Sequence, residues 1–398
     1  MKLKVFLNAY QKRIFVGVLE QRDVILFEYA SSFLKTGISL SPFMLPLQQG
    51  VFEDKKQIFD GLFGLFNDSL PDGWGCLLLD RYLQKQGLSY YEITPLHRLS
   101  IVGTQALGAL EYEPEKTPDE PYFSELQLDI LAHGAHRILQ GESSELLEHL
   151  RSLNGSTAGA RPKITALVSK DFKTIKSGRD SSDGFEPWII KFSSDSDNRN
   201  AGALEYIYSL MAKDAQIEMP ETHLFPSKNS SGHFATKRFD RDGLNKIHVH
   251  SACGLLHASH RIPTLDYENL IRLTSHLTHD EREVEKMVRL MIFNVKSGNK
   301  DDHTKNFAYL MTPKYEWKMT PAFDITPSAG INGEQTAMVN GKGRKILNED
   351  LIQAAKISGL SVAKIKSIIE EVESALSKYP ALLKEFDITL EENIIKNN

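Results

Sequence analysis

The sequence has only two cysteines, Cys76 and Cys253, far apart in a chain of 398 residues. That excludes a disulfide framework and fits a reducing compartment. A basic excess is also missing: 47 Lys and Arg against 52 Asp and Glu leave a formal net charge of −5 and a pI near 6.2. Autonomous DNA binding through a general positive field is therefore disfavoured, although a local patch would not show in that sum. No apolar run approaches the ~18 residues of a membrane span, and the first residues lack signal-peptide form. These absences point to a cytoplasmic protein. What remains is ordinary globular material, 41% hydrophobic and 25% charged, long enough for two or three structural units.

Residues 1–50 alternate apolar and polar positions in MKLKVFLNAY, RIFVGVLEQ and VILFEYA, a pattern that predicts short antiparallel strands. The run NDSLPDGWG (67–75) has turn chemistry and precedes the helical spacing of LLLDRYLQKQG. A short helix, a glycine-punctuated turn and a strand follow over 94–112, and the acidic, proline-containing EPEKTPDEP (113–121) reads as a linker. Six histidines crowd into 248–279, but their spacing matches no standard zinc signature. DEREVEKMVRLMIFNVKSG carries Val284, Met287, Val288, Met291, Ile292 and Val295 close to helical spacing, which predicts a buried helix stopped by Gly298.

Four stretches carry candidate chemistry. In GSTAGARPKITALVSKD (155–171), the small residues Ser156, Thr157, Ala158 and Gly159 let backbone approach an anion, and Lys163 opens a strand. The stretch fits a phosphate-covering turn and equally a surface hairpin; it is not a Walker A loop, since no lysine followed by serine or threonine opens a helix. Lys191 ends the apolar strand FEPWIIKF. Such a lysine often snorkels to solvent, but downstream of a glycine turn it can hold nucleotide phosphates. Glu205, on the next helix, is either its ion-pair partner or a solvated face residue. HFATKRFDR (233–241) is a strand and charged turn in which Lys237, Arg238 and Phe239 occupy the place of a nucleotide-binding hinge.

The densest stretch is NVKSGNKDDHTKN (294–306). Asp301 followed five residues later by Asn306 is the spacing of a kinase catalytic aspartate and its magnesium-binding asparagine. Asp301 would accept the hydroxyl proton, Lys305 would neutralise the migrating phosphoryl, and Asn306 would hold magnesium. Asp324, in PAFDITPS beyond a strand pair, suits a second magnesium ligand. Asp302 and His303 fit a loop-stabilising role, with His303 kept among the nucleotide-side residues. A lone loop aspartate more often caps a turn; the order of glycine turn, strand lysine, hinge, helix and Asp–Asn–Asp points instead to a phosphotransferase.

These residues resemble the HipA family of serine/threonine kinases, toxins of bacterial toxin–antitoxin systems. The resemblance rests on NDSLPDGWG, STAGARPK, WIIKF, KRFDR, GNKDDHTKNF and PAFD. It implies an α+β, bilobal protein-kinase-like fold: a mainly β N-terminal lobe with a small added β subdomain, and an all-α C-terminal lobe. The implied division is 1–112, a linker with connecting helices over 113–143, a nucleotide-binding part over 144–242, and a catalytic lobe over 243–398. It also implies ATP and magnesium as cofactors, Lys191 as the nucleotide lysine, Asp301 as base, Asn306 and Asp324 as metal ligands, and Ser156 as an autophosphorylated serine whose phosphate would silence the enzyme. The implied partners are a HipB-like helix-turn-helix antitoxin, operator DNA through that antitoxin, and a protein substrate such as an aminoacyl-tRNA synthetase. Two positions depart from the family: Thr157 and Ala158 replace a second glycine, and Lys237 stands where some members have glutamate. A lipid or small-molecule kinase, and a corepressor acting beside an antitoxin, remain alternatives.

Overall fold

The structure is a computed structural model and describes residues 1–116, 125–142, 146–154, 159–178, 184–193 and 199–389. Ser156, Thr157 and Ala158 lie outside the described residues, as does part of the expected linker. The described chain divides into two compact units, one of residues 1–199, 225–250 and 254–257, the other of 200–224, 251–253 and 258–398.

The first unit holds two sheets. Strands β1 (Lys2–Ala9), β2 (Lys12–Gln21), β3 (Ile25–Tyr29), β4 (Val51–Glu53) and β5 (Leu110–Glu113) form an antiparallel sheet in the order β4-β3-β2-β1-β5. The period-two pattern of the sequence is its cause: Leu3, Val5, Leu7 and Ala9 of β1 are buried while Lys2 and Lys4 face water. The second sheet contains β6 (Lys163–Ser169), β7 (Ile175–Lys176), β8 (Phe185–Lys191) and, after β9 (Thr222–Phe225), β10 (His233–Lys237), with β7-β6-β8-β10 adjacent in that order.

Helices α1 (Ser31–Leu34), α2 (Gly64–Asn67), α3 (Gly73–Lys85), α4 (Pro95–Val102), α5 (Leu128–Leu139) and α6 (Leu147–Asn154) complete this unit. Trp74 and Leu78 of α3, Leu131, Ala135 and Ile138 of α5, and Leu150 and Leu153 of α6 share one core with Ile164, Ala166, Trp188 and Ile190 of the second sheet. Burying each such side chain contributes roughly 1.5–3 kcal/mol. A fully buried ion cluster ties the glycine-punctuated turn to the charged turn after β10. Asp240 accepts from Arg238 Nε at 2.9 Å, Arg241 Nη1 at 2.6 Å and the Gly108 N–H at 2.8 Å.

Helix α8 (Ala252–Leu256) has residues in both units, and the second unit holds α7 (Ala201–Asp214), α9 (Tyr267–Thr278), α10 (Glu281–Ser297), α11 (Asn348–Ala355), α12 (Val362–Leu376) and α13 (Tyr379–Glu385). Helix α10 is its spine, packed on α9 and α12. All six apolar positions expected to face inward on α10 are buried, and Asp280 caps its first turn by accepting from the Arg282 N–H at 2.9 Å. Gly298 ends it in the left-handed conformation, φ 73°, where a side chain would be strained. The unit is helical apart from short strands that include an antiparallel hairpin, Ala308–Met311 with Trp317–Met319. That hairpin is the strand pair expected after Asn306.

Candidate functional site

The loop after α10 is built by a chain reversal that exposes Asp301 and buries Asp302. The Asn299 N–H returns to the Asn294 carbonyl at 2.9 Å, and the Ser328 N–H donates to the Gly298 carbonyl at 3.1 Å. Thr304 Oγ1 donates to the Ala258 carbonyl at 3.0 Å. The Asn306 N–H closes a turn on the His303 carbonyl at 2.9 Å, while Asn306 Nδ2 donates to the Asp301 carbonyl at 2.8 Å. With its nitrogen committed there, the amide oxygen of Asn306 is the atom suited to a hard cation.

Lys305 is buried and His303 half-buried. Nδ1 of His303 is enclosed without a hydrogen-bond partner among the described residues, and its ring lies 5.6 Å from that of His260. Beyond the hairpin, the Thr320 N–H bonds the Ala308 carbonyl at 3.0 Å, so the chain returns towards the end of the hairpin at which Asn306 entered. Asp324 follows at φ 56°, a left-handed conformation uncommon for a residue with a side chain and one that clusters at functional sites.

Asp302 points the other way. Its carboxylate accepts from Gln335 Nε2 at 3.0 Å and from the N–H groups of Thr336 at 2.8 Å and Ala337 at 3.2 Å. The buried Tyr267 phenol also favours its charged form. Burial pushes this carboxyl up to about 6, against the downward pull of those donors.

In the first unit, β6 and β8 pair so that Lys163 stands directly opposite Lys191. Cross-strand partners share a face, so the two side chains bring like charge to one side of the sheet. Lys163 is buried and Lys191 half-buried, with its Nζ 5.7 Å from the centre of the Phe234 ring. Gly159, at φ 103°, lies over Lys163: an added Cβ would come within 2.4 Å of its Nζ. This turn is docked on the start of α3, because the Trp74 N–H reaches the Gly159 carbonyl at 3.4 Å and Trp74 Nε1 the Lys163 carbonyl at 3.2 Å. The Cβ position of Gly73 is likewise 2.7 Å from Ala160 Cα. Sequence reasoning missed this junction. The small Gly73 beside a tryptophan was its one available signal.

The hinge-like residues are engaged inside the first unit. Lys237 Nζ meets Glu186 at 2.8 Å, the Arg238 guanidinium is held by Asp240, and the Arg238 N–H bonds the Pro187 carbonyl at 2.9 Å. Phe239 is half-buried. Glu205, in the second unit, is buried on α7.

Among the histidines, His250 links Ser41 Oγ at 3.0 Å from Nε2 to Asp68 at 2.6 Å from Nδ1. The chain has the order of a nucleophilic triad, but Ser41 and His250 have no exposed surface, so no acyl donor reaches them. It is a buried polar tie that gives Asp68 of NDSLPDGWG a structural partner.

Taken separately, the opposed lysines of the first unit beneath Gly159 suit a phosphate group, and the loop of the second unit that presents Asn306 suits a hard cation. Among the described residues no group of three or more His, Cys, Asp and Glu side chains is arranged to hold a metal. A cation would accordingly draw ligands from Asn306, Asp324 and the phosphates it accompanies.

Fold and donor set together define a protein of kinase-like architecture. The chain belongs to the HipA family: the HipA-like C-terminal domain profile matches residues 155–379, more than half of it, and the HipA N-terminal domain profile matches 7–113. Two relatives from Sinorhizobium fredii bear the names "Putative kinase Y4dM" and "Putative kinase Y4mE". The first is 23% identical over 58% of this chain and 59% of its own length, the second 27% identical over 63% and 64%. The chain thus spans about three fifths of the curated relatives it matches. HipA of Shewanella oneidensis MR-1, solved in complex with HipB and its operator DNA, superposes with a TM-score of 0.69 at 16% identity, over 99% of this chain and 94% of that one. At that identity the likeness establishes the fold.

Among the described residues no helix is long and apolar enough to cross a membrane.

Proposed function

We infer that this protein is a magnesium- and ATP-dependent serine/threonine protein kinase, the toxin of a HipBA-type toxin–antitoxin pair. The observation that carries the reading is the loop in which Asn306 Nδ2 braces the carbonyl of an exposed Asp301 while Lys305 is drawn inward. Positioning and charge neutralisation are most of what phosphoryl transfer asks of a protein.

Asp301 orients the substrate hydroxyl and takes its proton. Lys305 offsets the charge of the transferring group. Lys163 and Lys191 hold phosphate oxygens, and Ser156, Thr157, Ala158, Gly159 and Glu205 are assigned to nucleotide binding with them. Lys237, Arg238 and Phe239 border the nucleotide base through the path of their backbone, since the side chains of Lys237 and Arg238 are engaged elsewhere. His303 faces the nucleotide side of the loop. Magnesium, held by Asn306 and Asp324, would neutralise phosphate charge. Ser156 is the site of an inactivating autophosphorylation. The proposed layout is an N-terminal subdomain over 1–112, a nucleotide-binding part over 144–242 and a catalytic lobe over 243–398, in a cytoplasmic protein. Its partners are a HipB-like antitoxin, operator DNA through it, and a protein substrate such as an aminoacyl-tRNA synthetase.

The test is transfer of labelled phosphate from ATP with magnesium, followed by mass spectrometry of the protein and of a cell lysate. Asp301→Ala should lower transfer by roughly 10²–10⁴-fold, the range of a general base. Phosphorylated metabolites without phosphoprotein would replace the protein-kinase reading with a small-molecule kinase. Folded protein that binds no nucleotide by calorimetry in magnesium would end it.

A further inference from the structure

The carboxylate of Asp302 belongs to a cluster of buried groups that no phosphotransfer step uses. The Tyr267 phenol of α9, which favours the charged form of Asp302, accepts from Asn294 Nδ2 of α10 at 2.9 Å. Asn294 Oδ1 accepts from Asn299 Nδ2 at 3.1 Å. Gln335 Nε2 donates to the Asn299 carbonyl at 3.1 Å and to Asp302 at 3.0 Å. All five residues are 5% exposed or less. The cluster joins α9, α10, the loop of Asp301 and the segment 335–337, elements far apart in sequence.

Asp302 has no ion-pair partner among the described residues. Three donors converge on its two oxygens, Gln335 Nε2 on one and the N–H groups of Thr336 and Ala337 on the other, and only a group that accepts at both can satisfy them. Asparagine has the same shape, but its NH₂ would face an N–H donor. An ionised carboxylate buried without a cation is a costly way to fill the place, and a neutral side chain would avoid that desolvation. What the charge supplies is directional: it draws Gln335 Nε2 and the Thr336 and Ala337 N–H groups onto one point, one residue from Asp301.

We propose that Asp302 is a positioning residue for Asp301: its ionised carboxylate gathers Gln335 and the backbone at 336–337 into a clamp that fixes the loop for phosphoryl transfer. The part played by Asp301 rests on the kinase reading; the clamp does not. The titratable group meeting the carboxylate is the Tyr267 phenol, itself pushed far up by burial, and Lys300, Asp301 and His303 are the ionisable neighbours along the chain.

The experiment compares the full-length protein with Asp302→Asn, and with Tyr267→Phe as a milder variant that removes the phenol hydroxyl. Amide hydrogen exchange at Thr336 and Ala337, corrected for intrinsic rates, reads the clamp without requiring any activity. Protection in Asp302→Asn should fall about tenfold at neutral pH. Phosphate transfer should show kcat down about 10- to 100-fold, the scale of a small misplacement, with KM for ATP within about twofold. Unchanged protection at both amides overturns the proposal. So does a kcat loss matched by loss of folded protein. Reduced protection in a protein that transfers no phosphate in wild-type form upholds the clamp and rejects the kinase reading instead.

Discussion

Asp240 and Asp302 are both buried carboxylates, 1% exposed, yet their surroundings drive them in opposite directions. Asp240 lies between Arg238 and Arg241, and despite the opposing effect of burial the two guanidinium groups hold it far below the usual carboxylate range. Asp302 has amide and backbone donors but no cation among the described residues, and burial prevails, lifting it to about 6. Hydrogen bonds alone offset part of the desolvation of a carboxylate; adjacent full charges offset all of it. The first arrangement makes a permanent ion cluster between two turns. The second makes a charge that ordinary pH can remove.

Breaking the comparison at its stronger end should have the largest effect. Asp240→Ala leaves two buried guanidinium groups without their carboxylate and should destabilise the protein by about 3–5 kcal/mol, read from the midpoint of urea unfolding. A shift under about 1 kcal/mol would show that water reaches these arginines and that the cluster is not the fixed one described.

The pH dependence of stability separates the two groups next. Because the folded value of Asp302 is raised, the native state binds more protons than the unfolded chain between about pH 4 and 6. Stability attributable to it is therefore greatest in acid and declines as the pH rises through 6, by about 3 kcal/mol in all for a shift from 3.8 to about 6. Asp240 acts with the opposite sign: its contribution is full above the unfolded carboxyl value and is lost as the pH drops below about 4. Unfolding of wild type and Asp302→Asn across pH 4–7.5 should differ in slope by the Asp302 contribution. Parallel curves would refute the assignment.

A finer adjustment is Tyr267→Phe, which removes the phenol hydroxyl that favours the charged form of Asp302. It should cost about 1 kcal/mol and move the Asp302 titration further up, visible as a displaced acid limb in the same stability profile. A downward displacement would mean that the phenol does not favour the charged form of this carboxylate.

Much of this molecule was legible in its sequence where the cause is local. Period-two strands in 1–29, the apolar stripe of α10 and the left-handed Gly298 follow from neighbours a few residues apart. The loop signature Asp301–Asn306 was legible too, as a spacing. The cluster around Asp302 was not, because its members come from positions 267, 294, 299, 302 and 335, and only packing brings α9 against α10. Asp68 and His250, 182 residues apart, were invisible as partners for the same reason. Arg238 shows another limit. A charged residue in a hinge-like stretch looks available to a ligand, while in the fold its guanidinium is buried against Asp240. Ser156, Thr157 and Ala158, central to the expected phosphate turn, lie outside the described residues, so the turn is known from Gly159 onward.

The docking of Trp74 on that turn has an optical consequence. Its indole N–H is bonded to the carbonyl of Lys163 and its backbone N–H to that of Gly159. Indole emission responds to the local electric field, and here the field includes the buried ammonium of Lys163, whose surroundings the proposed nucleotide would alter. With Trp188 and Trp317, the other two tryptophans, replaced by phenylalanine, the single remaining fluorophore would report on the glycine turn itself. The protein thus carries a built-in spectroscopic probe at the point where its N-terminal module meets the proposed phosphate cradle.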